Sequence, residues 1–244
     1  MLPPNLTTRP EALLLDAGDT IIFMDYKALS AALAELGEAA TPEQLERSMP
    51  VAKSAYQTVV RENAQHEHGW FVLMRSLLLE AGIAAERAEG LLRPLRAIHE
   101  EFYFWRSPPK HLPDALFRAR GAGIRLGIVS NSEGRLQSVL ERIGLADWFE
   151  VIVDSHLEGV AKPDPEIFRR ALSRMGVAPE RSIYAGDLPE VDLVGANAAG
   201  MHAALVDAFG TYVARPEYPR VDSVAQLVDE LLALPRATAT GTAT

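Results

Sequence analysis

Five short apolar runs limit what this chain can fold into: Ala12–Leu15, Ile124–Val129, Val151–Val153, Ile183–Ala185 and Ala203–Val206. Each is too brief for a helix and most are bounded by turn or polar residues, so they read as buried strands. Between the later runs the apolar period changes. Leu136, Val139, Leu140 and Ile143 form one helical stripe closed by Gly144, and Ile167, Phe168, Ala171, Leu172 and Met175 form another closed by Gly176. Strands alternating with helices predict an α/β fold, a doubly wound parallel sheet with helices on both faces.

The alternation breaks between the first two runs. Residues 26–108 read as an inserted helical unit, leaving 1–25 and 109–244 for the α/β core. Leu29, Leu33 and Leu36 make a stripe before Gly37, and Thr41-Pro42-Glu43-Gln44 has the form of a capping box with proline at the first helical position. A second helical stretch carries Trp70, Phe71, Met74, Leu77 and Leu78, and a third runs through Leu95, Ile98, Phe102 and Trp105. Ser107-Pro108-Pro109 then turns the chain back toward the core, because consecutive prolines cannot continue a helix. The Ala/Thr/Gly tail from Ala237 to Thr244 offers nothing to bury and is expected to be loose.

Composition excludes several classes of function. A formal net charge of −9 over 244 residues, with no basic cluster, opposes binding to nucleic acid. With no cysteine there is no thiol nucleophile, disulfide or thiolate metal site. No stretch approaches the roughly 20 apolar residues of a membrane span, and the N-terminal segment lacks a signal-peptide pattern. The expectation is a cytoplasmic protein with no membrane partner.

The residues at the carboxyl end of each strand point to chemistry: Asp16, then Ser130 with Asn131, then Asp154, then Gly186 with Asp187, then Asp207. Ligands of open α/β sheets bind beyond the carboxyl ends of the strands, so several of these groups can share one site. Asp16, in Asp16-Ala17-Gly18-Asp19-Thr20, together with Asp187 and Asp192, would bring carboxylates close together, and these repel unless a cation or proton lies between them. With only oxygen donors to hand, Mg²⁺ is the apt cation. Lys162, just ahead of a helix whose start is set by Pro163-Asp164-Pro165, can reach the same face and offset the acids and a bound anion.

These segments resemble, in order, the four motifs of the haloacid dehalogenase superfamily: LLLDAGDTII, IVSN, GVAKPDPEIF and YAGDLPEVDLVGANAAG. The resemblance covers the chain from Glu11 to about Val206. It implies a Rossmann-like core with a helical cap inserted after the first motif, and a hydrolase, most simply a phosphatase of small phosphorylated metabolites. It further implies that Asp16 attacks phosphorus to form an aspartyl-phosphate. Mg²⁺ would be held by the Asp16 and Asp187 carboxylates and the Gly18 carbonyl. Ser130 and Lys162 would hold the transferring oxygens, with Asn131 and Thr20 at the substrate, and Asp192 would support the metal shell or Lys162 from behind.

One position departs from the family pattern. Most phosphatases of the family carry a second Asp two residues after the nucleophile as acid and base for the reaction, and here that residue is Gly18. Losing such a group typically forfeits roughly 10²–10⁴ in rate. Three readings are open: Asp19 takes over proton transfer; the reaction needs no such acid, as in family members that cleave carbon–phosphorus bonds with a cap lysine, for which Lys53 is the candidate; or the protein is a catalytically impaired, metal-binding regulator. Against these stand plainer readings, in which Asp19 caps a turn or stays in water and Lys53 is solvated on a helix surface. Cleavage of carbon–halogen bonds fits less well, since those relatives work without metal and Asp187 is retained. His66 and His68, two apart on a helix, do not share a face and read as solvated rather than metal-binding.

Overall fold

The computed structural model describes residues 1–61 and 66–236. The tail expected to be loose, 237–244, lies outside the described residues, as does the side chain of His66; His68 is exposed. The chain forms two compact units, Met1–Ile21 with Pro108–Thr244, and Ile22–Ser107.

Eight strands run in chain order: β1 (Ala12–Leu15), β2 (Phe23–Met24), β3 (Trp105–Ser107), β4 (Arg125–Ser130), β5 (Val151–Asp154), β6 (Ser182–Gly186), β7 (His202–Val206) and β8 (Arg220–Val221). Six of them form one sheet in the order β5-β4-β1-β6-β7-β8, with every neighbouring pair parallel. All five apolar runs are strands of this sheet. The central strand β1 is completely buried, so each of its three leucines contributes roughly 1.5–3 kcal/mol of burial.

The order of the strands determines where a ligand can sit. From β1 the chain builds outward through β4 to β5, then crosses back to β6 on the other side of β1 and continues to β7 and β8. Strands β1 and β6 are therefore neighbours whose onward connections lead in opposite directions. Their carboxyl ends form the switch point at which open sheets leave a crevice. Asp16 is the first residue beyond β1 and Asp187 the first beyond β6.

The helices flanking the sheet start and stop where side chains require it. The Pro165–Met175 helix begins at Asp164, whose carboxylate accepts from the Glu166 N–H, and ends at Gly176 in the left-handed region (φ 64°); Ile167, Phe168, Ala171, Leu172 and Met175 are its buried stripe. The Leu136–Arg142 helix buries Leu136, Val139 and Leu140 and ends just ahead of Gly144 (φ 72°).

The second unit holds helices Tyr26–Glu35, Pro42–Arg61, His66–Glu80 and Ala85–Phe102. Its capping box is reciprocal: Gln44 N–H donates to Thr41 Oγ1 (3.2 Å) and Thr41 N–H to Gln44 Oε1 (2.8 Å). Trp105, expected on the third helical stretch, lies instead in β3. That helix stops at Phe102, and Tyr103 takes a left-handed conformation (φ 54°) that turns the chain into an antiparallel pairing with β2. Trp70 is buried among Phe71 and His99 (ring centroids 5.3 and 5.5 Å) and serves as packing within this unit.

Candidate active site at the switch point

Asp16 is fixed by its backbone before its side chain does anything. Its N–H donates to Ala185 O (2.9 Å), extending the β1–β6 ladder one residue past β1. The chain then turns at once: the N–H groups of Thr20 and Ile21 both donate to Ala17 O, at 3.4 and 3.0 Å. Within this turn the left-handed residue is Asp19 (φ 53°), and Gly18 is not among the residues of positive φ. Aspartate is one of the few non-glycine residues that tolerate this region. Asp19 is also buried (6% exposed), which corrects the expectation of a carboxylate left in water. Lys53 needs the same correction: on the Pro42–Arg61 helix of the other unit it is buried, 3% exposed, and not solvated.

Lys162 reaches Asp16 from the segment ahead of the Pro165–Met175 helix. Its ammonium donates to Asp16 Oδ1, Asp192 Oδ1 and Tyr184 Oη, each at 2.7 Å. Its backbone is bracketed by one side chain, since Lys162 N–H donates to Asn131 Oδ1 (2.8 Å) while Asn131 Nδ2 donates to Lys162 O (2.9 Å). Asn131, expected at the substrate oxygens, thus spends both ends of its amide on setting where Lys162 starts.

Asp192 is held from behind. It lies in a π-helical turn, Pro189–Leu193, and its Oδ2 accepts from the Leu188 N–H (2.9 Å). A Cβ at position 186 would run into the Asp192 carboxyl group, so glycine is required at the end of β6 for Asp192 to fold back toward Lys162. Asp16, Asp187 and Asp192 each present an oxygen within 4.8 Å of the others, and all three are buried.

Among the remaining strand-end groups, Ser130 is buried at the last position of β4, and Thr20 is buried with its hydroxyl unpartnered. The two other acids anchor loops. Asp154 accepts from the N–H groups of Gly134, Leu136 and His156. Asp207 accepts from Thr211 and Tyr212 N–H and from Arg220.

Tyr184 was not singled out by the sequence. It lies inside β6, where its ring packs edge-on against Phe168 (4.9 Å, 89°), and reads as one more core residue. The available signal was the phenol itself, because a tyrosine in a fully buried strand needs a partner for its hydroxyl. Here the partners are Lys162 and Val129 O (2.7 Å).

The cluster sets three carboxylates against one ammonium in a buried space. Burial works against a charged Lys162, but Asp16 and Asp192 outweigh it and hold the ammonium above its ordinary pKa. Burial pushes Asp192 up, and Asp16 adds to this while Lys162 opposes it. Burial, with Asp192 and Asp16 nearby, drives the Tyr184 phenol well above its usual range. The acidic surplus and its all-oxygen donor set suit a hard divalent cation. Both Asp192 oxygens already accept protein hydrogen bonds.

Comparisons with known proteins bear on the family and the fold. Residues 10–200 match the family model described as haloacid dehalogenase-like hydrolase. The chain is 39% identical over 139 residues to a phosphoserine phosphatase of Thermus thermophilus, covering 55% of this chain and 53% of that protein. It is 37% identical over 106 residues to a glyceraldehyde 3-phosphate phosphatase of Methanopyrus kandleri, covering 43% and 46%. The chain thus spans about half the length of these curated relatives. Among solved structures, a HAD hydrolase of Bacillus subtilis bound to magnesium superposes with a TM-score of 0.64 at 20% identity, over 92% of this chain and 99% of that one. A HAD phosphatase of Thermococcus onnurineus gives 0.58 at 20% identity, over 93% and 99%. With its parallel sheet, its switch-point acids and a family model matching most of its length, this chain belongs to the haloacid dehalogenase-like hydrolase family.

Proposed function

We propose that the protein is a Mg²⁺-dependent phosphatase of a small phosphorylated metabolite that works through an aspartyl-phosphate on Asp16. The observation that carries this reading is the Lys162 ammonium bonded to Asp16 inside a buried cluster of three carboxylates at the switch point. Asp16 and Asp187, with the Gly18 carbonyl, would hold Mg²⁺, which would supply positive charge against the substrate phosphoryl oxygens.

The residues of the chain do the rest. An Asp16 oxygen attacks phosphorus, the phosphorus–oxygen bond to the leaving alkoxide breaks, and that oxygen takes a proton. Water then attacks the same phosphorus, releases phosphate, gives up a proton and frees Asp16. Ser130 and Lys162 hold the transferring oxygens. Asp19 is a buried carboxylate three residues from the nucleophile, and we assign it the proton transfers that Gly18 cannot perform. The activities for which the Thermus and Methanopyrus relatives are named support a phosphomonoester of a small metabolite as the substrate class.

The test is hydrolysis of para-nitrophenyl phosphate and of a phosphorylated amino or hydroxy acid, with and without Mg²⁺. Turnover with both substrates only when Mg²⁺ is present is the expected result; none with either sinks the reading in favour of a metal-binding regulator. Asp19→Asn suits the second question better than Asp19→Ala, because Asn tolerates positive φ whereas Ala there adds strain of roughly 1–2 kcal/mol. Asp19→Asn should lower turnover of the alkyl phosphate by about 10²-fold and barely affect the nitrophenyl ester, whose leaving group needs little acid help. Independently of activity, Mg²⁺ at 100 times its Kd should stabilise the wild type by about 2.7 kcal/mol. Thermal unfolding with and without Mg²⁺ reads this, and Asp187→Asn should abolish it.

One observation favours a second reading. Lys53 is buried, as suits an amine that condenses with an aldehyde. Under that reading phosphonoacetaldehyde plus borohydride labels Lys53, and Lys53→Arg is not labelled.

A further inference from the structure

The Lys162 ammonium has three hydrogens, and three oxygens stand 2.7 Å from its nitrogen: Asp16 Oδ1, Asp192 Oδ1 and Tyr184 Oη. Two of these acceptors are carboxylates. The third is neutral, and its own orientation is set elsewhere. A phenol has one hydrogen to donate, and Tyr184 has two acceptors in reach, Val129 O at 2.7 Å and Asp192 Oδ1 at 3.2 Å. The shorter contact takes the hydrogen, so the lone pairs of the phenol oxygen are left facing Lys162. Val129 immediately precedes Ser130 in β4, and Tyr184 belongs to β6, on the far side of β1. One phenol therefore ties the ammonium to the backbone at the end of β4.

We propose that Tyr184 is a positioning residue for the reaction: its hydroxyl keeps Lys162 aimed while Asp16 is engaged with phosphorus. The inference rests on the reading of Asp16 as nucleophile. Once an Asp16 oxygen is bonded to phosphorus the residue is no longer a carboxylate anion, and its hold on Lys162 weakens. A lysine stem has four rotatable carbons and, left with Asp192 alone, can swing. Tyr184 and Asp192 together leave it two fixed acceptors. A neutral acceptor also suits the place, because a fourth carboxylate would repel the incoming phosphate. No other hydroxyl-bearing side chain among the described residues donates to or accepts from Lys162 Nζ.

Tyr184→Phe is the variant to make, since it keeps the buried ring against Phe168 and removes only the oxygen. Hydrogen bonds to charged groups support an expected fall in kcat of about 10-fold to 100-fold, with KM for para-nitrophenyl phosphate changed by less than about threefold. Phe168→Leu, which loosens the packing of the same ring but touches no hydroxyl, should lower the thermal midpoint and leave kcat per folded molecule unchanged.

A second readout needs no activity: the ¹⁵N–¹H signal of the Lys162 ammonium, assigned by its absence in Lys162→Met. With three fixed acceptors its hydrogens exchange slowly enough to be seen, and in Tyr184→Phe the signal should broaden or vanish. An unchanged ammonium signal overturns the proposal, and so does a kcat within about twofold of an active wild type. A signal lost in Tyr184→Phe alongside a silent wild type leaves Tyr184 holding Lys162 and overturns the phosphatase reading instead.

Discussion

Replacing Asp16 with Asn is expected to reduce Mg²⁺-dependent hydrolysis of para-nitrophenyl phosphate by about 10⁴-fold or more, the scale on which enzymes lose an activated nucleophile, without unfolding the protein. The substitution is isosteric and preserves what the structure shows Asp16 doing for the fold. The backbone N–H still donates to Ala185 O, and the amide oxygen still accepts from Lys162 Nζ. The negative oxygen is lost, and an amide oxygen attacks phosphorus poorly. Two electrostatic changes oppose each other in stability: removing a like charge relieves the repulsion that pushes Asp192 toward its protonated form, while Lys162 loses one of the two carboxylates that hold its ammonium. Loss of activity in a variant that still unfolds in one cooperative transition is thus the signature of a removed nucleophile. Residual turnover above about a tenth of wild type, per folded molecule, would mean that another group attacks.

The parts of this molecule that were legible in the sequence are those set by local chemistry. Each of the five apolar runs is a strand because a short buried segment has few alternatives. The stops at Gly144 and Gly176 came from the need for positive φ at a helix end. The site was legible for a related reason: acids placed directly after strands cannot be far from one another once those strands are neighbours. Pairings over long separations were not legible. Strand β8 has two residues and exists through β7, while β2 and β3 meet across some eighty intervening residues. Side-chain partners were equally hidden. Asp154 and Asp207 looked like Asp16 and Asp187 in sequence, and only the structure shows the loop N–H groups that Asp154 and Asp207 accept from. The role of Tyr184 depends on where Lys162 ends up, and the positive φ of Asp19 belongs to a turn that the sequence does not display.

Lys162→Met should be the most destabilising single change in the core and should also abolish turnover. The ammonium is buried and is bonded to both Asp16 and Asp192, and breaking a buried pair by removing one partner costs about 3–5 kcal/mol. The same bonds give the wild type an alkaline limb. Because the Lys162 pKa is raised on folding, its contribution is fully present below the ordinary value of 10.5 and is lost as pH rises through the higher native value. Stability of the wild type should therefore fall in that range, and Lys162→Met should lack this component. Urea unfolding at neutral and alkaline pH measures both effects. The decisive comparison is a double-mutant cycle with Asp192→Asn: once Lys162 is gone, neutralising Asp192 removes an uncompensated buried charge, so the double variant should be more stable than Lys162→Met alone. Additive losses would mean that Asp192 and Lys162 do not act as a pair, and would remove the electrostatic basis for placing the reaction beside them.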